Sequence, residues 1–157
     1  MRSIPPSFLK SCYLKIDFKI SENASVYDAI QRMAGYHIGC LAVTNPEGKV
    51  VGVISERDYL CKVALYGKAS KSTIVRDICT YGDSNLVVVD ADAPVDECMK
   101  RMLERDIRHL LVRDAKGEII SMLSIKDLVK VTVAKHSAMV RKLTDFALGK
   151  KAFYSSD

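Results

Sequence analysis

The stretch "GVISERD" at residues 52–58 returns as "SMLSIKD" at residues 121–127, which is 69 positions later. Both copies consist of apolar residues, a serine, one intervening residue, a basic residue and an aspartate. At this offset residues 18–60 align with residues 87–129 without a gap, and nine positions between 26 and 58 are identical to their partners, including Arg32 with Arg101. Self-similarity at a fixed spacing is the mark of a repeat. The chain is therefore predicted to contain two copies of one structural unit.

Each copy has the same order of local patterns. The short apolar runs "FKI" and "LVVV" predict a strand, and the apolar residues three and four apart after Ser25 and Pro94 predict a helix. Two β-type runs around a glycine-bearing turn predict a hairpin, with turns at residues 45–49 and 114–117. A second helix is expected over residues 56–66 and from 125 to about 147. The predicted order is β-α-β-β-α in each repeat.

One such unit cannot bury its own sheet face and helical stripes, so two copies should pack sheet to sheet around a shared core. The predicted fold class is therefore α/β (α+β), with two pseudo-symmetric repeats and a long C-terminal helix. The connector is expected to hold a short helix capped by Thr73 or Ser72. The expected divisions are an N-terminal extension (1–17), repeat 1 (18–68), the connector (69–86), repeat 2 (87–135) and a C-terminal helix and tail (136–157).

Composition excludes several classes of protein. The chain has 157 residues, is 48% hydrophobic and 27% charged, and contains no apolar run near the ~20 residues that span a bilayer. The net charge of +5 is scattered among acidic residues, which disfavours a nucleic-acid partner. The five cysteines form no metal-ligand spacing and are expected to be reduced thiols of an intracellular protein. We predict no membrane span, no nucleic-acid partner and no metal site.

The repeated motif has the chemistry of a site for a phosphorylated sugar. Ser55 and Ser124 each end a strand and open a helix, where unpaired N–H groups and the helix dipole favour an anion. The carboxylates of Asp58 and Asp127 would suit the vicinal hydroxyls of a ribose. Arg57 and Lys126 would bring a cation to a phosphate, the arginine as a fork and the lysine as a point charge, so the two half-sites are unequal.

The same spacing also has a purely structural interpretation. Serine followed three residues later by an acidic residue, before an apolar run, is a capping box, in which the two side chains satisfy the first turn of their own helix. The serine can serve both purposes. The aspartate of a capping box has less hydrogen-bonding capacity left for a ligand.

The repeated β-α-β-β-α order and its closing motif resemble a tandem pair of cystathionine β-synthase (CBS) domains, also called a Bateman module. The resemblance covers about residues 18–135. It implies adenosyl ligands (AMP, ADP, ATP or S-adenosylmethionine) bound in clefts between the repeats. It also implies that the "IRHLLV" strand reaches phosphate through Arg108 and His109, although Leu111 stands where the family often has proline. Gly52, where the backbone could pass close to a ligand, becomes Ser121, so one working site is expected more readily than two.

The leading hypothesis is a regulatory module that senses the energy state through an adenine nucleotide and modulates a partner protein. It would need no cofactor, and the nucleotide would be its regulatory ligand. The alternative is an interaction adaptor with an empty or vestigial pocket, for example one that regulates a thioredoxin-type enzyme. No nucleophile with a base and no paired carboxylates are found, so no catalytic residue is predicted. The expected compartment is the cytoplasm, or a mitochondrial or plastid matrix if a targeting segment has been removed.

The C-terminal region predicts an amphipathic helix that runs beyond the second repeat. Its apolar residues recur at helical spacing from Leu128 to Ala147, and Gly149 is expected to end it. The helix could cover the core of its own module or form a dimer surface. Because CBS pairs generally associate face to face and most soluble homo-oligomers are twofold dimers, we expect a homodimer.

Overall fold

The strands of the two repeats form two separate sheets in the computed structural model, which describes residues 12–148 apart from the side chains of Cys12 and Leu14. The first sheet has the order β1-β2-β3-β4, in which β1 is parallel to β2 and the other pairs are antiparallel. The second has the order β5-β6-β7, with the same parallel and antiparallel pairs. The strands are β1 (Lys19–Ser21), β2 (Cys40–Thr44), β3 (Val50–Ser55), β4 (Thr80–Tyr81), β5 (Val88–Asp90), β6 (His109–Arg113) and β7 (Ile119–Ser124).

Four α-helices complete the two repeats and confirm the mixed α/β fold class. They are α1 (Val26–Tyr36), α2 (Glu56–Tyr59), α3 (Val95–Arg105) and α4 (Ile125–Ala147). The helix expected over residues 56–66 is shorter than predicted, because α2 passes after one turn into a π-helical segment, Leu60–Ala64. The helix α4 ends at Ala147, and the expected terminator Gly149 lies outside the described residues.

Equivalent residues shape equivalent turns. Both α1 and α3 end on a left-handed residue, His37 (φ 55°) and Asp106 (φ 50°), and these two positions are 69 residues apart. The predicted hairpin turns are confirmed, with Gly48 at φ 81° and Gly117 at φ 85°. Glycine tolerates this conformation because it has no Cβ. The repeat is therefore present in the backbone as well as in the sequence.

The predicted cap of the connector helix is wrong. The short helix is a single 3-10 turn, Val75–Asp77, preceded by Ile74 without a side-chain cap. The hydroxyl of Thr73 instead donates to the carbonyl oxygen of Ala69 at 2.9 Å. The buried residues Val75 and Ile78 anchor the segment, and the chain then forms β4 on the first sheet.

The two repeats share part of their core. Leu111 and Met122, from the second sheet, lie in the same apolar cluster as the buried residues of the first repeat. The identity of Arg32 and Arg101 has a structural explanation, since each guanidinium donates to a carbonyl oxygen of the parallel edge strand in its own repeat, at Lys19 and at Val88. The two arginines therefore cover backbone groups that a sheet edge would leave exposed.

The difference between Gly52 and its equivalent, Ser121, is explained by β4, the fourth strand of the first sheet. A Cβ atom on Gly52 would lie 2.6 Å from the backbone oxygen of Thr80 in β4. The close backbone approach expected at Gly52 therefore comes from β4 and not from a ligand. Within residues 12–148, β7 carries no such strand and instead packs against the 3-10 turn Cys12–Lys15, so Ser121 has room for its side chain.

The helix α4 extends beyond the second repeat. Leu128 is fully buried, but the apolar side chains further along are exposed, among them Val133 (58%), Val140 (62%) and Leu143 (63%). The helix therefore covers the core of its own module only near its start. A search of the described residues finds no helix with the length and apolar character that a membrane crossing needs.

Candidate functional site

Both repeated motifs form a complete capping box. The Oγ of Ser55 accepts from the backbone N–H of Asp58 at 3.3 Å, and Oδ2 of Asp58 accepts from the N–H of Ser55 at 2.9 Å. Ser124 and Asp127 repeat this arrangement at 3.2 and 2.9 Å. The structural interpretation of the motif is thus confirmed in both copies. The ligand role of these four residues stays a prediction, with Oδ2 of each aspartate already in use in its capping box.

Each motif lies beside the first residue of the central strand in its own repeat. Cys40 pairs with Ser55 across the first sheet, and His109 pairs with Ser124 across the second. Cys40 and His109 are equivalent positions, 69 residues apart. The structure therefore brings His109, Ser124 and Asp127 together, while the first repeat presents a thiol where the second presents an imidazole.

The two motifs face each other across these strand starts. A Cβ atom on Gly39 would lie 3.3 Å from Cε1 of His109 and 3.3 Å from Oε2 of Glu56, the residue after Ser55. A guanidinium nitrogen of Arg57 lies 3.4 Å from a carboxylate oxygen of Asp106, which joins the first motif to the second repeat. Residues of both repeats therefore meet at one location.

Burial and charge set the protonation of the groups at this location. Burial lowers the pKa of His109 to about 4, against the opposing effect of the nearby Asp127 carboxylate and with a further lowering by Arg108. The imidazole is therefore neutral at pH 7. Burial, and next the charge of Asp58, raise the pKa of the Cys40 thiol well above its ordinary value, so it is protonated at this pH. Neither the imidazole of His109 nor the thiol of Cys40 is charged at pH 7, so binding of an anion at this location would depend on the surrounding cations.

The predicted cations lie at the surface. Arg57, Arg108 and Lys126 are all exposed, and the Arg57 ion pair with Asp106 joins side chains that are 70% and 93% exposed. Ion pairs with such exposure contribute little to stability. These three side chains can therefore turn toward a ligand at small cost.

The two half-sites differ in a lysine that the sequence reasoning did not select. Nζ of Lys62 lies 2.9 Å from Oδ1 of Asp58 and donates to the carbonyl oxygen of Ile78 at 2.8 Å. The four-residue spacing from Asp58 was the available signal for this pair. The equivalent position in the second repeat is Val131, so a lysine of this register is present only in the first half-site.

Tyr13 is a second residue that the sequence reasoning missed. It belongs to the turn Cys12–Lys15, ahead of the repeated region, and its side chain is only 1% exposed. Its hydroxyl donates to the carbonyl oxygen of Cys40 at 3.1 Å, and its ring meets the His109 ring edge to face with centroids 6.1 Å apart. No periodic pattern marks this residue. It was therefore not predictable from the repeat.

One groove among the described residues lies away from the motifs. A groove of about 640 Å³ runs between the two hairpin turns and is lined by Lys49, Arg113 and Glu118 among others. It lies at the opposite end of the sheets from the motif serines, and none of the eight predicted site residues lines it. Among residues 12–148, no group of three or more His, Cys, Asp or Glu side chains is placed to hold a metal ion.

Comparison with known proteins identifies both repeats. The family model "CBS domain" matches residues 15–64 and 75–134. A curated relative, the "CBS domain-containing protein CBSX3, mitochondrial" of Arabidopsis thaliana, is 37% identical over 127 residues, which are 80% of this chain and 61% of that protein. The chain thus spans less than two thirds of this relative.

Solved structures share the fold. A protein with CBS domains from Burkholderia ambifaria MC40-6 is 39% identical with a TM-score of 0.70, over 76% of this chain and 85% of that chain. The CBS domain protein PAE2072 from Pyrobaculum aerophilum, solved in complex with AMP, is 24% identical with a TM-score of 0.66, over 77% of this chain and 87% of that chain. The second likeness establishes the fold alone.

Proposed function

The chain belongs to the CBS domain family, and on this premise we propose that it is a regulatory module that binds an adenosyl nucleotide between its two repeats. The ligand class is AMP, ADP or ATP, with S-adenosylmethionine as the next candidate. Binding would report the energy state to a partner protein. The module itself would carry out no catalysis.

The observation that carries this proposal is the meeting of the two motifs at the strand starts. Ser124, Asp127 and His109 lie within one cluster, and Gly39 of the other repeat lies between this histidine and Glu56. A neutral imidazole can donate one hydrogen bond to a phosphate oxygen and accept one from a ribose hydroxyl. The exposed cations of Arg108 and Lys126 would supply the charge. The AMP complex of the Pyrobaculum aerophilum protein supports the ligand class.

The direct test is calorimetric titration of the full chain with AMP, ADP, ATP and S-adenosylmethionine. A ligand that binds only the native state should also raise the melting temperature by mass action. We expect at least one nucleotide to bind and AMP to be among those that do. A chain that binds none of the four at millimolar concentration would refute the proposal.

Among the predicted site residues, Lys126, an exposed cation on α4, gives the clearest test. Replacement of Asp58 or Asp127 also removes a helix cap, so a loss of binding could reflect a loss of stability. Lys126→Met leaves the capping box intact and should weaken nucleotide binding roughly tenfold, since hydrogen bonds to charged groups are the stronger ones. The matched control is Lys130→Met, one helical turn further along and also exposed. If the two variants bind the nucleotide with equal affinity, Lys126 is not part of the site.

We also propose that the chain forms a homodimer through α4. Its exposed apolar side chains Val129, Val133, Val140 and Leu143, with the polar His136 at the remaining position, follow a spacing of four and three residues, which is the seam of a two-stranded coiled coil. Light scattering at micromolar concentration should give twice the 17.4 kDa mass of the chain. A monomer mass would reject the dimer, and Val140→Lys should convert a dimer to monomer if α4 is the interface.

A second candidate function is the interaction adaptor. The observation in its favour is that Tyr13 already fills the space beside His109, while Leu65 (76%), Tyr66 (71%) and Phe146 (84%) are strongly exposed. An adaptor should bind its partner equally well with and without nucleotide. The mitochondrial relative makes the mitochondrial matrix the first compartment in which to seek that partner.

A further inference from the structure

Tyr13 contacts the same position in both repeats. Its hydroxyl bonds to the backbone of Cys40, and its ring packs on the side chain of His109. These two residues are equivalent under the 69-residue offset, and each pairs with the serine of its own motif. Tyr13 therefore lies between the two motifs, at the centre of the location where their residues meet.

We propose that Tyr13 is a built-in plug of the nucleotide site, and that ligand binding and the docking of the Cys12–Lys15 turn are mutually exclusive. This inference rests on the proposed function and adds its regulation. A tyrosine suits the role because its flat apolar ring and single hydroxyl match, in type, the base and the hydroxyls of a nucleoside. His109 is itself partly exposed, and a ligand that binds on the face covered by Tyr13 must take the place of a side chain that is now 1% exposed.

The contacts of the turn make it a separable part of the fold. The turn packs against β7, the strand that ends in the second motif, and β7 carries no fourth strand in the described part of the chain. The equivalent strand β3 is covered by β4, whose neighbours Val75 and Ile78 are buried in the core. Release of the turn would take Tyr13 out of the core of the first repeat but would break no strand pairing, so both sheets would stay paired.

Thermodynamic linkage makes the plug a signalling device. If the nucleotide binds only when Tyr13 is displaced, its apparent affinity is the intrinsic affinity multiplied by the fraction of open molecules. By reciprocity, the nucleotide favours release of the turn by the same factor. A rise in nucleotide concentration thus increases the fraction of molecules in which the segment that carries Tyr13 is exposed.

The test compares AMP binding to the wild-type chain and to Tyr13→Ala by calorimetry. Removal of the plug should tighten binding on the order of tenfold or more. Tyr13→Phe keeps the ring and loses the hydroxyl that bonds to Cys40, so its gain should be smaller. The control for general destabilisation is Val63→Ala, a fully buried site in the first repeat that should leave the affinity unchanged.

The outcomes separate this inference from the function on which it rests. Tighter binding to Tyr13→Ala supports the plug. Equal binding overturns it, and weaker binding overturns it by making Tyr13 a wall of the site, while the proposed function survives both results. If neither the wild type nor Tyr13→Ala binds AMP or ATP at millimolar concentration, the proposed function fails and the plug fails with it.

A second measurement keeps the inference testable if Tyr13→Ala does not fold. The chain contains no tryptophan, so Tyr13→Trp places its single tryptophan at the plug, where it can be excited selectively over the tyrosines. Saturating AMP should shift its emission to longer wavelength and make it more accessible to acrylamide. An unchanged emission, with AMP binding verified by calorimetry on the same variant, would overturn the plug.

Discussion

The substitution Gly52→Ala should destabilise the protein through one contact. Gly52 lies in β3 and is not among the glycines at positive φ, so alanine meets no conformational obstacle there. The added Cβ would lie 2.6 Å from the backbone oxygen of Thr80 and 3.4 Å from Sγ of Cys79. The sulfur can yield, but the oxygen belongs to β4 and can move only with its strand. The β3–β4 pair must therefore separate.

The expected loss follows from overpacking. Forcing one carbon into a packed interior costs about 1 to 3 kcal/mol, and replacement of a strand glycine would otherwise gain about 0.5 to 1 kcal/mol. We expect the free energy of unfolding, measured by urea titration with circular dichroism, to fall by about 1 kcal/mol, the difference between these two terms. The hydrogen bond from the N–H of Gly82 to the carbonyl oxygen of Val51 should also weaken, with faster amide exchange at Gly82. A variant within about 0.5 kcal/mol of wild type would refute the steric argument.

Gly35→Ala is the matched control. This glycine lies in α1, and a Cβ atom there would meet nothing within 4 Å. The same chemical change should stabilise the protein by about 0.5 to 1 kcal/mol, because alanine favours the helix. Opposite signs at the two glycines would separate the contact with Thr80 from any general effect of the substitution.

Three further predictions concern the site and the sheet edge. The pKa of His109 falls to about 4 on folding from an ordinary value of 6.5, so the unfolded chain binds more protons than the folded chain between these values. The free energy of unfolding should therefore drop by at most about 3 kcal/mol as pH falls from 6.5 to 4. In the His109→Leu variant, the free energy of unfolding from urea titration should change less across this pH window. Ser124→Ala removes the acceptor for the N–H of Asp127 and should cost about 1 kcal/mol in the same assay; no change would refute the cap. Arg101→Met removes the bond to the oxygen of Val88 and should cost about 1 kcal/mol, with faster amide exchange in β6 as the check.

The repeated elements were predictable because their signals are local. Helical spacing, glycine turns and the serine at the end of each second hairpin strand recur at a fixed offset, so each copy supports the assignment in the other. The left-handed ends of α1 and α3 at His37 and Asp106 and the paired capping boxes follow from the same positions. Agreement of local preferences with one another is what makes a sequence specify its fold.

The missed features depend on contacts between distant residues. Tyr13 bonds to Cys40, 27 residues away, from a segment with no partner in the repeat. The role of Gly52 depends on Thr80, which the sequence placed in a connector rather than on the sheet. The identity of Arg32 and Arg101 was visible, but its cause is a bond to the backbone, and backbone acceptors leave no trace in a sequence.

If the chain binds a nucleotide as we propose, the asymmetry of the two repeats favours a response at the second half-site. In the first, Oδ2 of Asp58 serves the capping box and Oδ1 is paired with Lys62, which is itself fixed to the backbone of Ile78. A ribose would have to break this pair and move a strand connection anchored in the core. In the second, position 131 is valine, Asp127 is only 1% exposed, and the segment that packs on β7 is the turn that carries Tyr13. The half-site that lacks this lysine is thus also the one whose cover can leave without unpairing a sheet.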